Sequence, residues 1–440
     1  MSENNLVAAI DIGTTKVVAI VGRKTENGRI EILGISKTPS SGIKRGVVQN
    51  IDETVNAIKR TVEQVQNDAE TVFADVYVGI AGQHIKTIRN RGYINRDSSE
   101  DEITKKDIEN LIKEMYNISI DVGEEIIHVL PQNFIVDNET GIKNPVGMLG
   151  RRVEANFHIV IGQITSARNI GKCINKAGLK LNELILEPLA SSAAVLTADE
   201  KEAGVALVDI GGGTTDVAVY YDDIIRHTAV IPFGGDVITK DIKEGCSILQ
   251  RQAESLKTQY GSSLGDMARE DEVVSIPGIS GREPKEISLK SLAYIIQSRV
   301  EEILNAVLYE IENSGYYERL SAGIVITGGG ALLKDLPQLV RFITGMDVRV
   351  GKPDIMLASE SNPAVNDPMF ATSVGLIIKG FEINQINKDK NSPSMQNESG
   401  KDKETFDMEE EMEEQQDRKG FISKLKQAFN DIFEENDAEI

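Results

Sequence analysis

Cysteine, long hydrophobic runs and positive charge are what this sequence has least of. Its 440 residues hold two cysteines, Cys173 and Cys246, far apart and without the neighbours that a zinc or redox motif needs, so both are expected to be reduced and structural. No window approaches the roughly 18 unbroken apolar residues of a spanning helix. Strand-like runs such as Ile324–Thr327 are cut short by glycine, so any membrane contact is expected to be peripheral. Residues Met1 to Leu6 show no basic stretch leading into an apolar one; no secretory leader is expected, and the chain is expected to stay in the cytosol. With 48 Lys and Arg against 69 Asp and Glu, the net charge is −21. Nucleic acid is therefore an unfavoured partner, because backbone-phosphate affinity comes from clustered cations.

What is present is enough apolar sequence, 40% of the chain, for more than one core. Apolar runs from Val7 to Ile35, broken at Gly13-Thr14 and Glu26-Asn27-Gly28, predict a strand meander. A helix with the face Val55, Ile58, Val62 and Val65 follows, then a strand at Val76–Ile80. Ala8–Val21 and Ala206–Tyr220 share the pattern of an apolar strand, Asp-Ile-Gly and a second strand, which predicts an internal duplication. The expected division is a first-lobe core at 1–80, an inserted subdomain at 81–163, the first lobe continued with a connecting segment at 164–195, and a second-lobe core at 196–237. A second-lobe subdomain at 238–300, more of that lobe at 301–350 and a return to the first lobe at 351–383 complete the globular part. An acidic linker at 384–418, too polar to bury a core, then leads to an amphipathic helix at 419–436.

Both copies of the repeat contain a glycine turn of the kind that lets backbone N–H groups approach phosphates. The candidates are Gly13, Thr14, Thr15 and Lys16 in the first copy and Gly211, Gly212, Gly213 and Thr214 in the second. Asp11 and Asp209 stand just before the turns, where carboxylates can order the water shell of Mg²⁺, and Lys16 can add a charge to a β- or γ-phosphate. Gly328, Gly329 and Gly330, with a helix expected from Ala331, offer a resting place for ribose or phosphate. Glu187, in Glu187-Pro188-Leu189-Ala190-Ser191-Ser192, is either the group that holds an attacking water or a solvated turn carboxylate.

These elements, in this order, resemble the actin, sugar-kinase and heat-shock-chaperone ATPase superfamily, with phosphate loops at Asp11–Lys16 and Asp209–Asp216, a connecting segment at Glu187–Ser192, an adenosine motif at Thr327–Leu332 and a hinge at Asp367–Leu376. The resemblance implies an α/β, actin-like two-lobed fold of duplicated ribonuclease-H-like domains, with ATP and Mg²⁺ between the lobes. It also implies that Asp11 and Asp209 serve the metal through water and that Glu187 serves the attacking water. His128–Asp137, Gly141–Gly150 and the position of the insertion are similar to the FtsA family in particular. That resemblance implies a filament-forming division protein with at most slow ATPase activity. It would tether the C-terminal peptide of the tubulin-like ring protein FtsZ to the inner leaflet of the cytoplasmic membrane at the septum, and recruit other division proteins. A contact for the FtsZ peptide is implied within 238–300. His128 itself is read as a packed, hydrogen-bonded histidine.

On a helix, Phe421, Ile422, Leu425, Phe429, Ile432 and Phe433 fall on one side, which suits either an interfacial membrane helix or a helix docked on the core. Half-burying these side chains yields roughly 5–8 kcal/mol. One tail is a weak anchor, whereas a filament presenting many gains avidity. A sugar kinase or a chaperone-like ATPase would share the core. No sugar-binding signature is visible, however, and no β-rich peptide-binding domain follows the core.

Overall fold

The computed structural model describes residues 6–97, 100–278, 282–359 and 361–390. Strands β1 (Leu6–Ile12), β2 (Lys16–Lys24) and β3 (Ile30–Pro39) form the antiparallel meander. A short ladder of β4 (Ile43–Lys44) and β5 (Val47–Val48) leads into α1 (Ile51–Asp68), whose N-terminus is capped by the Asn50 side chain accepting from the N–H groups of Asp52 and Glu53. Val55, Ile58, Val62 and Val65 are buried beneath this helix, as its periodicity predicts. Strand β6 (Asp75–Ile80) then pairs parallel to β1, which reads as an almost unbroken apolar run because it is buried on both faces.

The chain now leaves the lobe to build a separate layer from β7 (Lys86–Asn95), α2 (Lys105–Tyr116), β8 (Glu124–Val136), β9 (Glu139–Ile142) and β10 (Arg152–Gln163). Its sheet runs β7-β10-β8-β9, and its own core includes Ile108, Leu111, Ile112, Phe134 and Phe157. Helix α3 (Ile164–Lys176) and β11 (Lys180–Leu186) return to the first sheet, and α4 (Glu187–Val195) with α5 (Ala198–Ala203) crosses to the second lobe.

There β12 (Val205–Ile210), β13 (Thr215–Tyr221) and β14 (Ile224–Ile231) repeat the meander. Helices α6 (Gly235–Cys246) and α7 (Gln250–Tyr260), the hairpin β15 (Val273–Ile276) and β16 (Lys285–Ser288), and α8 (Leu289–Ser314) follow, before β17 (Ile324–Thr327), α9 (Leu336–Thr344) and β18 (Val348–Val350) complete the sheet. Helix α10 (Ala371–Lys390) closes the fold by packing on α4, β1, β2 and β6. The two five-stranded sheets, β3-β2-β1-β6-β11 and β14-β13-β12-β17-β18, share strand order and sense: three antiparallel strands, then two parallel ones. The duplication is thus a property of the fold as well as of the motif.

Three boundaries differ from expectation. The division placed at Val300 falls inside α8, whose buried face continues through Ile303, Leu304 and Val307. The linker expected from Asn384 begins inside α10, where Ile383 and Ile386 are buried and Asn384 Oδ1 accepts from the Tyr77 hydroxyl at 2.8 Å. Its polar composition hides an apolar stripe. The helix expected from Ala331 starts at Leu336, because Gly329–Leu332 is a single 3₁₀ turn and Pro337 sets the start of the true helix.

Candidate nucleotide site

Each meander turns at its first hairpin, and the two turns lie face to face. A Cβ built on Gly212 would stand 2.3 Å from Thr15 Cγ2, and one on Gly213 would stand 2.2 Å from Thr14 Oγ1, an approach open only to glycine. The first turn is held by the Gly46 N–H donating to Thr14 Oγ1 at 3.3 Å and the Ser40 N–H donating to the Thr15 carbonyl at 3.0 Å. The second is held by the start of α6, where the N–H groups of Gly235 and Asp236 donate to the carbonyls of Gly211 and Gly212 at 2.9 and 2.8 Å.

The strand ends before the turns carry Asp11 and Asp209, both buried, and the ladder of β12 with β13 sets Asp209 opposite Asp216. The Ser373 hydroxyl donates to Asp11 Oδ2 at 3.1 Å; those of Ser191 and Thr372 donate to Asp209 Oδ2 at 2.6 and 3.1 Å. Glu187 is the first residue of α4, half-buried in a helical turn, so it is not the solvated loop carboxylate that its Glu-Pro pair suggests. Burial raises all four carboxyls above the usual range, Glu187 and Asp216 by the most; neighbouring carboxylates add to this at Asp11, Glu187 and Asp216. The Lys16 ammonium pulls Asp11, Glu187 and Asp209 back down, but burial outweighs it.

The cluster is short of positive charge, and Asp216 Oδ1 is buried with no hydrogen-bond partner. Both observations fit a bound cation. Among the described residues no three His, Cys, Asp or Glu side chains converge as a direct ligand set. The donors present therefore suit Mg²⁺ held through its waters and a ligand's phosphate oxygens.

A cavity of about 850 Å³ runs from Thr15, Lys16, Gly211 and Gly212 to Gly329 and Gly330. Its size lies in the range of small-molecule sites. Gly328 enters this turn at φ 80° and ψ 176°, and a Cβ there would stand 2.2 Å from Asp209 Oδ1. The Gly328–Gly330 turn and Asp209 are therefore one packed unit. On the far wall, Lys257 Nζ donates to the Gly235 carbonyl at 3.0 Å and to Thr239 Oγ1 at 2.8 Å, and pairs with Glu254 at 2.8 Å.

Of the candidates, Thr15, Lys16, Gly211, Gly212, Gly329 and Gly330 line the cavity; Thr14 meets Gly213, Asp209 meets Gly328, and Glu187 meets Gly79 across the sheet end. The candidates Phe421, Ile422, Leu425, Phe429, Ile432 and Phe433, with most of the linker, lie outside the described residues. Sequence reasoning gave no role to Ser191, Thr372 and Ser373, to Asp216, or to Glu254 and Lys257. Asp216 carried a signal as the end of the second turn motif, and Ser191, Thr372 and Ser373 carried one only as members of the connecting and hinge segments. His128 is buried and accepts from the Leu186 N–H at 3.1 Å, the packing role expected of it.

A family model described as "Cell division protein FtsA" matches residues 206–375, and one described as "SHS2 domain inserted in FTSA" matches 82–161. The chain is 38% identical over 383 residues to the cell division protein FtsA of Pseudomonas aeruginosa, spanning 87% of this chain and 91% of that one. With the cell division protein FtsA of Escherichia coli K12 the identity is 36% over 388 residues, with 87% and 91% covered. Among solved structures, the PilM–PilN type IV pilus biogenesis complex superposes with a TM-score of 0.61 at 14% identity, covering 86% of this chain and 98% of that one. MreB 5 of Spiroplasma citri bound to AMPPNP gives 0.55 at 14%, covering 88% and 100%. At such identities these two likenesses show the actin-like fold alone.

Proposed function

The chain belongs to the FtsA family of cell division proteins, and from that premise we propose that it binds ATP with Mg²⁺ between its lobes, polymerises with copies of itself, and tethers the C-terminal peptide of FtsZ to the inner leaflet of the cytoplasmic membrane at the septum, where it recruits later division proteins. The observation that carries the nucleotide part is the pairing of two face-to-face glycine turns with four clustered carboxyls whose burial the Lys16 charge only partly offsets. In this reading the turns and Lys16 take the phosphates, the cavity toward Gly329 and Gly330 takes the nucleoside, and Asp11, Asp209 and Asp216 orient the waters of Mg²⁺. The metal supplies neutralisation of the phosphate charge and ordering of its oxygens.

Glu187 is assigned to the attacking water, its proton affinity raised by burial and by the neighbouring carboxylates. In this reading turnover is at most slow, and binding and assembly are the activity. Membrane attachment rests on the amphipathic pattern from Phe421 to Phe433. Among the described residues no helix is long and apolar enough to cross a membrane. The FtsZ peptide is assigned to the second-lobe subdomain, 238–300.

One flotation experiment tests the whole reading. The full chain with ATP and Mg²⁺ should carry a labelled FtsZ C-terminal peptide to the top of a gradient with anionic vesicles, and Asp209→Ala should reduce this only by weakening the Mg²⁺-dependent part of ATP binding. If the chain stays at the bottom of the gradient, the tether is wrong. If Asp209→Ala loses ATP affinity equally with and without Mg²⁺, the metal assignment is wrong.

A further inference from the structure

The inserted subdomain does not hang free of the second lobe. Gln132 Nε2 on β8 donates to the Ile225 carbonyl of β14 at 2.6 Å, Lys143 pairs with Asp222 at 2.6 Å, and Arg89 on β7 donates to the Ser314 carbonyl at the end of α8 at 3.0 Å. Within this junction lies a second cavity, of about 460 Å³, remote in sequence from the nucleotide residues. Its walls carry Arg89, Arg91, Arg226, Asn133, His158 and Tyr316.

Two of these side chains are almost wholly buried and under-satisfied. Arg226 is 5% exposed, donates only to the carbonyls of Tyr221 and Gln132 and to Asn133 Oδ1, and stacks on the Tyr316 ring. No acid pairs with it among the described residues; Asp222, whose field reaches it, is held by Lys143. Burial accordingly disfavours its charged form. A guanidinium keeps its proton, so the desolvation remains as a cost that a buried counter-charge would offset. His158 is 1% exposed. Its Nε2 accepts from the Thr228 N–H at 3.2 Å, which leaves the proton of the neutral ring on Nδ1, and Nδ1 is buried with no partner. At the exposed rim Arg91 is engaged by Glu154, whereas Arg89 binds only carbonyls. The Asn133 oxygen is used by Arg226, so its amide N–H groups remain as donors. The cavity thus presents charged and neutral donors, with unpaired positive charge and one orphaned N–H.

We propose that this cavity is a binding site for a small oxyanion, either free phosphate or the carboxylate of an acidic segment, which would bridge the inserted subdomain and the second lobe. Two or three acceptor oxygens match the Arg89 and Arg226 guanidiniums, the His158 Nδ1–H and the Asn133 amide. One carboxylate source is the chain's own run Glu409, Glu410, Glu411, Glu413 and Glu414. The 18 residues between Lys390 and Glu409 correspond to a contour length of at most roughly 60 Å.

The sequence contains no tryptophan, so Tyr316→Trp in the full chain places a single reporter in the wall and preserves the stacking on Arg226. With the nucleotide site saturated by ATP and Mg²⁺, this protein is titrated with sodium phosphate against chloride at constant ionic strength, so that general screening does not change. The expected result is a saturable change in emission, weakened about tenfold by Arg89→Gln, the loss of one charge-assisted contact. Arg89→Gln carries the test because Arg89 is exposed and Gln keeps an N–H donor for the Ser314 carbonyl, whereas Arg226→Gln would break a buried stack on Tyr316. If phosphate becomes effective only after the five glutamates are changed to Gln, and that change alone shifts the emission, the linker carboxylates are the occupant and the site stands. If emission responds neither to phosphate nor to the linker change, or responds equally with Arg89→Gln, the proposal is overturned.

Discussion

Replacing Gly328 by Ala tests the link between the Gly328–Gly330 turn and the buried carboxyls proposed to serve Mg²⁺. At φ 80° and ψ 176° the backbone is in a region that residues with a Cβ enter at about 1–3 kcal/mol. The new methyl would also stand 2.2 Å from Asp209 Oδ1 and 2.6 Å from the Ile210 carbonyl, so something must move. The strand carbonyl is fixed in the ladder, and the carboxylate is the part that yields. If Asp209 turns away from even one of its donors, Ser191 or Thr372, a charged buried hydrogen bond worth about 1.5–3 kcal/mol is lost. The sum is roughly 2.5–6 kcal/mol, which denaturant unfolding should register in the second lobe. Gly345→Ala is the control, since Gly345 has φ 70° and no atom within 4 Å of the built Cβ, so it should cost only about 1–2 kcal/mol of strain. ATP binding in the presence of Mg²⁺ should fall at least tenfold in Gly328→Ala while binding in a chelator changes little. If the two glycine variants unfold alike and both bind Mg²⁺ and ATP as the parent does, the proposed unit does not exist.

Gly212→Val should abolish ATP binding, because its Cβ would occupy the space of the Thr15 side chain and hold the two turns apart; unchanged affinity in equilibrium dialysis would remove these turns from the site. The folded pKa values of Asp11, Glu187, Asp209 and Asp216 are raised, so their contribution to stability is fully present below about pH 4 and is lost as pH rises through the folded values. A cation reverses that loss, so the rise in thermal midpoint on adding ATP with Mg²⁺ should grow as pH is raised from about 4; a rise that shrinks with increasing pH would contradict the cluster. Phe429→Glu should release the full chain from anionic vesicles and leave ATP binding intact, since it removes about 1.5–3 kcal/mol of burial from a weak anchor; retained flotation would refute the membrane role of that face.

The turn motifs were legible because a tight hairpin writes its geometry into neighbouring residues: Asp, Gly and Thr must follow one another for the backbone to turn there. Duplication was legible for the same reason, twice over. The residues that hold the carboxylates left no such mark. Ser191 sits on α4, and Thr372 and Ser373 sit on α10, some 180 residues away. They fall within the connecting segment and the hinge, yet each reads there as an ordinary polar position, and only the crossing of the two helices aims them at Asp209 and Asp11. Glu254 and Lys257 are likewise an unremarked pair on an amphipathic helix until α6 and α7 pack together. Arg226 and His158 were invisible because their significance is a missing partner, and sequence records no absences of contact. The extent of α10 beyond Asn384 was obscured by composition, since a few apolar residues among Asn, Gln and Lys suffice to seat a helix on a sheet.

The crossing of α4 and α10 has a mechanical meaning of its own. These helices carry the chain between the lobes, and where they meet, a Cβ on Gly375 would lie 1.8 Å from the Ala190 carbonyl oxygen. The pivot is backbone resting directly on backbone, like a bearing without a bushing. Side chains in contact can change rotamer and absorb a small displacement, whereas main-chain atoms have no such freedom, so this crossing leaves little slack for either helix to shift on the other. The donors Ser191, Thr372 and Ser373 are mounted on the same two helices. The contact that fixes how the helices cross therefore also fixes the aim of three hydroxyls at Asp209 and Asp11.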